Sequence, residues 1–139
     1  MEIDPRIEKF IRRHHVLTLA TATDDGAPYC CNVFYAYDGN GAFVFTSGAE
    51  TRHAAMMCGN GRVAASVVLE TRIVGKVQGL QITGRAVRTD DEASKHAYIK
   101  RFPYAALADL ALWRLEADML KYTDNTLGFG KKLIWQREE

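Results

Sequence analysis

Short β-rich runs cut apart by tight-turn signals constrain this chain more than any other feature, and the clearest of those signals is Asp38-Gly39-Asn40-Gly41. Gly and Asn accept positive φ, so such a run can reverse the chain almost without a loop. Cys30 to Tyr37 before it, carrying Val33, Phe34, Tyr35 and Tyr37, and Ala42 to Thr46 after it read as paired strands. Upstream, Val16 to Thr23 alternates β-branched and apolar residues. Asp24-Asp25-Gly26 then gives a second hairpin signal, with Pro28 where the next strand begins. Three successive strands joined in this way predict an antiparallel meander.

Helical signals frame the meander. Asp4 caps a first helix with Pro5 in its first turn, Ile7, Phe10 and Ile11 on one face, and Arg12, Arg13, His14 and His15 near its C-terminus. Ser47-Gly48-Ala49-Glu50 has the S-x-x-E form of a capping box, which predicts a helix from near Ser47 to Gly59-Asn60-Gly61. Arg62 to Leu69 and Leu80 to Val87 read as two further strands, and Glu70 to Gly79 between them either extends the strands or loops out. Asp90-Asp91-Glu92 starts a helix running to about Arg101, Pro103 interrupts it, and Tyr104 to Leu110 fits a short second helix. Leu112 to Tyr122 and Gly130 to Gln136 fit two closing strands, although Leu115 to Leu120 also fits a helix. The whole is an α+β plan over residues 1–139: a single domain in which a mostly antiparallel sheet closes into a barrel with flanking helices. It lacks the βαβ rhythm and the G-x-G-x-x-G turn of a doubly wound nucleotide-binding fold.

At 139 residues the chain is long enough for one real core. A formal net charge of +1 gives no reason to expect nucleic acid or an anionic membrane as partner, so any anion site must be local. Val16 to Ala22 is too short to span a bilayer, and the acidic start Met1-Glu2-Ile3-Asp4 is unlike a signal peptide, so a cytoplasmic protein is expected. Three cysteines, Cys30, Cys31 and Cys58, show no C-x-x-C spacing and are expected as reduced, buried structural thiols rather than metal ligands.

The segment richest in chemistry is Phe45-Thr46-Ser47-Gly48-Ala49-Glu50-Thr51-Arg52-His53. A strand runs into a helix start, where free N–H groups and the positive dipole end favour an anion. Arg52 adds a fork that fits phosphate oxygens, while Thr46, Ser47 and Thr51 can donate neutral hydrogen bonds. The plainer alternative is that Ser47 and Glu50 only cap the helix and Arg52 faces solvent. No nucleophile–base–orienter set is present, and Asp90-Asp91-Glu92 is accounted for as a helix start.

This segment resembles the strand-to-helix signature of the pyridoxamine 5′-phosphate oxidase-like, FMN-binding split-barrel superfamily. That signature reads T, three residues, then S-R-K, followed by a helix and N-P-x-V-A. Here Ser47, three residues, Thr51-Arg52-His53 and later Asn60-Gly61-Arg62-Val63-Ala64 correspond. His53 replaces the lysine. Gly26-Ala27-Pro28-Tyr29 resembles the superfamily's G-x-P-x turn, and Leu80 to Ala86 resembles its Gly-containing barrel strand. Arg101-Phe102-Pro103 and the stretch from Lys121 to Trp135 are similar to one bacterial clade within it, the YhbP-like proteins.

The resemblance implies a homodimer with FMN at its interface and a flavin-dependent oxidoreductase whose electron donor is a nicotinamide or a small organic substrate. Thr51, Arg52 and His53 would hold the phosphate. Asn32, Val33, Phe34, Thr46 and Ser47 would contact the ring, and the partner's copies of Gln81 and the C-terminal loop would meet its other edge. The oxidase's own glutamine lies where this chain has Gly79. Lys131 or Lys132 near N1 and O2 of the ring would stabilise the anionic reduced form, unless both are solvated hairpin residues. The oxidase's R-x-H motif has no counterpart in Trp135-Gln136-Arg137-Glu138-Glu139, so oxidation of pyridoxamine phosphate itself is not expected. Alternatives are a non-catalytic flavin store, a haem binder using His14, His15, His53 or His96, or a deazaflavin protein.

Overall fold

The computed structural model describes residues 2–128 and 130–138. It contains three α-helices, α1 (Pro5–Arg13), α2 (Arg52–Gly59) and α3 (Glu92–Arg101). The strands are β1 (Val16–Ala22), β2 (Pro28–Phe34), β3 (Ala36–Tyr37), β4 (Ala42–Thr46), β5 (Arg62–Leu69), β6 (Gln78–Arg88), β7 (Leu112–Asp124) and β8 (Lys132–Gln136).

One antiparallel sheet runs β2-β1-β5-β6-β7-β4-β3, with β8 also on β7. Its two ends, β2 and β3, are separated in the chain by Tyr35 alone, so the sheet must curl until those ends meet. That closure is the split barrel expected from the sequence. Tyr35 is fully buried at the join, where its N–H donates to His15 O at 2.9 Å and its hydroxyl to Ile11 O at 2.6 Å. The long pair β6–β7 forms the spine, and its register shifts between Thr83 and Gly84. A Cβ at Gly84 would lie 2.2 Å from Glu116 O, so only glycine allows the two strands to come this close at the bulge.

Period-two burial sorts the side chains. On β1, Leu17 and Leu19 point inward, while Val16, Thr18 and Ala20 point outward. Phe43, Phe45, Leu80, Ile82, Leu115 and Leu120 complete the interior. The amphipathic α1 buries Ile7, Phe10 and Ile11 on it, with the Phe10 ring 5.1 Å from that of Tyr122. Each such side chain contributes about 2 kcal/mol through removal from water. Asp4 caps α1 as expected, its Oδ1 accepting from the N–H of Arg6 at 2.8 Å.

Several expectations are corrected. The helix after β4 starts at Arg52, not near Ser47, because Ser47 still belongs to the sheet: its N–H donates to Ala111 O at 3.0 Å. Thr51 is the cap instead, accepting from the N–H of Ala54 at 3.3 Å. Leu115 to Leu120 is strand, held on both sides by β4 or β8 and by β6. Glu70 to Gly79 holds a 3-10 turn at Val74–Lys76 before β6 begins at Gln78, and the short helix after Pro103 is a 3-10 turn at Pro103–Leu107. The cysteines are free thiols, but Cys30 and Cys58 are exposed and Cys31 is half-buried. Cys30 is on the outward side of β2, and Cys58 lies in the last turn of α2.

Candidate functional site

The junction from β4 to α2 brings Ser47, Thr51, Arg52 and His53 into one region, whereas the Thr46 side chain hydrogen-bonds Tyr98 on α3. Trp113 on β7 pins it from below: its indole N–H donates to Ser47 O at 3.2 Å. Ser47 is buried, and its Oγ lies 2.6 Å from His53 Nε2, a hydrogen bond that ties the strand end to the first turn of the helix. Burial lowers the His53 pKa below its ordinary value, so the ring is biased to the neutral form. Thr51 both donates to Gly48 O at 2.8 Å and caps Ala54, which occupies its hydroxyl in shaping the turn.

Arg52 is exposed, with its guanidinium 4.7 Å above the Tyr29 ring on β2. Among the described residues it makes no ion pair. As the first two residues of α2, Arg52 and His53 present N–H groups that no helical carbonyl can satisfy. The result is a junction rich in donors, with one fixed guanidinium. Beside it a cavity of about 330 Å³ is lined by residues that include Arg52, Thr23, Asp24, Met56 and Asn60. The Asp24 carboxylate on that lining disfavours an anion inside the cavity itself.

The remaining sequence candidates lie elsewhere on the barrel. Strand register sets Asn32, Thr18, Ser66, Gln81 and Lys121 in one transverse row on the outer face. Asn32 accepts a hydrogen bond from Thr18 Oγ1 at 2.8 Å, and Gln81 is exposed three strands away, roughly 14 Å across the sheet. Val33 packs partly against the core. Phe34 is exposed and meets Phe102 edge-on at 5.8 Å. Lys132 pairs with Thr123 in the neighbouring row, and its Nζ donates to Gly130 O at 3.3 Å; Lys131 is also exposed. Phe129 lies outside the described residues. Within one chain, therefore, the β4–α2 junction and the outer-face row form two separate groups.

Sequence reasoning missed two contributors. It quoted Tyr29 only as part of a turn, although its place on β2 sets its ring beneath Arg52. Trp113 is buried in the core and its indole N–H also anchors Ser47. Trp135 is buried as well. Among the described residues no group of three His, Cys, Asp or Glu side chains could hold a metal ion, and no helix is long and apolar enough to cross a membrane.

The profile of the family described as pyridoxamine 5′-phosphate oxidase matches residues 3–124. The chain belongs to that family. Within it, the chain is 40% identical over 135 residues to a UPF0306 protein of Photorhabdus laumondii, covering 94% of each sequence. It is 36% identical over 141 residues to the UPF0306 protein YhbP of Escherichia coli, covering 99% of this chain and 100% of YhbP. Among solved structures, a heme binding protein from Mycobacterium smegmatis superposes with a TM-score of 0.75 at 19% identity. That superposition covers 98% of this chain and 59% of the larger one, and it establishes the shared fold.

Proposed function

We propose that this protein binds FMN, with the phosphate seated at the β4–α2 junction, and acts as a flavin-dependent oxidoreductase. The observation that carries this reading is Arg52: an exposed guanidinium without a carboxylate partner among the described residues, set 4.7 Å over the Tyr29 ring beside a helix start. A phosphate monoester is held by a bidentate cation and by backbone N–H donors, and this junction offers both. When bound, FMN would supply two-electron chemistry, which the protein need only orient and tune. Arg52 and the N–H groups of Arg52 and His53 would bind the phosphate, while Ser47 and Thr46 would border the ring.

The second half of the seat would come from another copy of this chain, with Gln81 and Lys131 or Lys132 as its candidate contacts. The outward positions of β1, β2 and β5 support pairing of copies. They include Val16, Thr18 and Ala20, then Cys30, Asn32 and Phe34, then Ala64, Ser66 and Val68, with Arg62 at the start of β5 the charged residue on this face. Phe34 is 52% exposed and Val68 61%. An antiparallel sheet facing water alternates apolar with polar and charged residues, so an outer face of this breadth with so little charge fits an interface.

The test is the absorption spectrum of purified protein after addition of FMN and desalting, with Arg52→Ala in parallel. Retained flavin bands that weaken at least tenfold in the variant support the reading. No retention by the unmodified protein overturns it. A haemin titration and a deazaflavin titration run beside it, and a Soret band or retained deazaflavin in place of FMN assigns the fold to that cofactor here.

A further inference from the structure

A second cavity, sharing no residue with the β4–α2 junction, opens between the end of α1, the β3–β4 turn and α3, with a volume of about 730 Å³. Its wall on α3 is a helical face with the spacing 93, 96, 97 and 100. Ala93 and Ala97 leave room, and His96 and Lys100 project beside them. Arg12 from α1 and His15 from the segment after it line the opposite wall, with Tyr37 between.

The charges here are unbalanced. Among the described residues Asp38 is the only carboxylate on the lining, and its bonds are all spent: Oδ2 takes Arg114 Nη2 at 2.9 Å, and Oδ1 takes the N–H groups of Asn40 and Ala42 at 2.7 and 3.0 Å. Two of the cations have structural duties. Arg114 also donates to Ser94 Oγ, and Arg101 donates from Nη2 to the carbonyls of Arg12 and His14, closing the end of α1. Arg12 and Lys100 have no such duty, and among the described residues neither makes an ion pair. The Arg12 guanidinium stands 5.1 Å over the Tyr37 ring, whose face attracts a cation without neutralising it. Burial first, and then the Arg12 guanidinium, lower the Arg101 pKa, with Tyr35 opposing them. His14 is lowered by burial and then by Arg13, His15 and Arg101. The negative ends of the α1 and α3 dipoles explain why basic residues are tolerated near both helix termini. They do not explain why His96, a full turn before the end of α3, faces the same cavity as Arg12 and His15. A concave surface lined by one sign of charge concentrates its field on whatever enters.

We propose that this cavity is a binding site for a small, multiply charged organic anion, of the organic phosphate or polycarboxylate class. Arg12 and Lys100 hold the charged groups, His15 and His96 donate further hydrogen bonds, and the Tyr37 ring with the alanines receives the carbon skeleton. The site is independent of flavin.

The experiment is isothermal titration of the full-length protein with citrate and with pyrophosphate, at constant ionic strength set with sodium chloride. Two variants are run in parallel: the double variant Arg12→Gln with Lys100→Gln, and Ala97→Phe, which fills the cavity without changing charge. We expect saturable binding of one anion per chain, weakened at least tenfold in both variants and unchanged in Arg52→Ala. The variants differ in chemistry, so a folding defect in one leaves the other to decide. Binding that is absent at constant ionic strength, or equal in all the proteins, overturns the proposal. So does a haemin Soret band that disappears when His15 and His96 are both changed to Ala, which would make the cavity a haem pocket.

Discussion

Ser47 Oγ and His53 Nε2 lie 2.6 Å apart, so one hydrogen bond joins the last residue held by the sheet to the second residue of α2. The bond replaces the capping box that Ser47 and Glu50 could have made, and it fixes the imidazole plane at the helix start. Ser47→Ala should cost about 1 kcal/mol of stability, the net worth of one such bond. Urea denaturation reads this directly. In the same variant the ring loses its restraint, so the His53 side-chain resonances in NMR should broaden or split. Unchanged resonances would mean that the helix alone positions the ring.

His53 also sets the sign of a pH effect. Its folded pKa is depressed by burial, so the unfolded chain binds more protons than the folded one below the ordinary value of 6.5. The stability it contributes is present above that pH and is lost as pH falls through the lowered folded value. A bound phosphate dianion reverses the local preference by favouring the imidazolium. FMN binding should therefore take up a proton at this site, and its Kd should tighten as pH falls from about 8 toward 6.5. His53→Gln should flatten that slope. Calorimetry in two buffers of different ionisation enthalpy measures the proton uptake, and zero uptake would remove His53 from the phosphate site.

At the β6–β7 bulge, Gly84 admits no side chain. A Cβ there would meet Glu116 O at 2.2 Å, against backbone that cannot rotate away. Gly84→Ala should destabilise by about 3 kcal/mol, near the upper end of overpacking costs. Because the spine carries the barrel's closure, the loss should appear as a lower urea midpoint. A value within 0.5 kcal/mol of the parent, on the same scale, would show that the strands can separate freely at this point.

At the start of α3, Asp91 Oδ1 accepts from the N–H of Ser94 at 2.6 Å, and Oδ2 from its hydroxyl at 3.0 Å. The side-chain bond from Thr89, followed by those from Ser94, pulls the Asp91 pKa down to about 2. Asp91→Ala should cost roughly 1 kcal/mol, as loss of a cap does. The carboxylate's contribution persists at every pH above its unfolded value and fades only as pH falls toward 2. Thermal unfolding of parent and variant at pH 7 and pH 3 checks both points, since the difference between them should narrow at pH 3.

How legible this was in the sequence follows from the range of the interaction concerned. Strands β1, β2 and β4 and the cap at Asp4 were readable because alternation and turn chemistry are local. The start of α2 was misplaced because two Ser/Thr caps compete four residues apart, and a long-range bond from Ser47 N–H to Ala111 O decides between them. Leu115 to Leu120 is ambiguous by propensity, and pairing with β6 makes it strand. At the candidate site, Arg52 and His53 were legible as a helix-start pattern. The Tyr29 ring beneath Arg52 was not, since it depends on how β2 lies against α2. Nor was the cationic cavity, whose residues span positions 12 to 114 and meet only in the folded chain.

The apolar part of the outer face leads to the last prediction. Val16 pairs directly with Phe34 across β1 and β2, and Val68 extends the apolar surface on β5, with 42%, 52% and 61% of these residues exposed. A lone chain would present this surface to water. If two copies cover it, light scattering should give twice the 15.6 kDa of the single chain. Val68→Lys places a charge where none stands on β1, β2 or β5 at that level, and burying it unpaired would cost more than the contact returns. The variant should then run as a folded monomer with an unchanged far-ultraviolet spectrum. Because Gln81 and Lys132 sit on the same outer face while Arg52 sits at the junction, that monomer should also bind FMN at least tenfold more weakly, with the phosphate contacts intact. A monomeric variant with full FMN affinity would confine the flavin seat to one chain and remove the partner's residues from it.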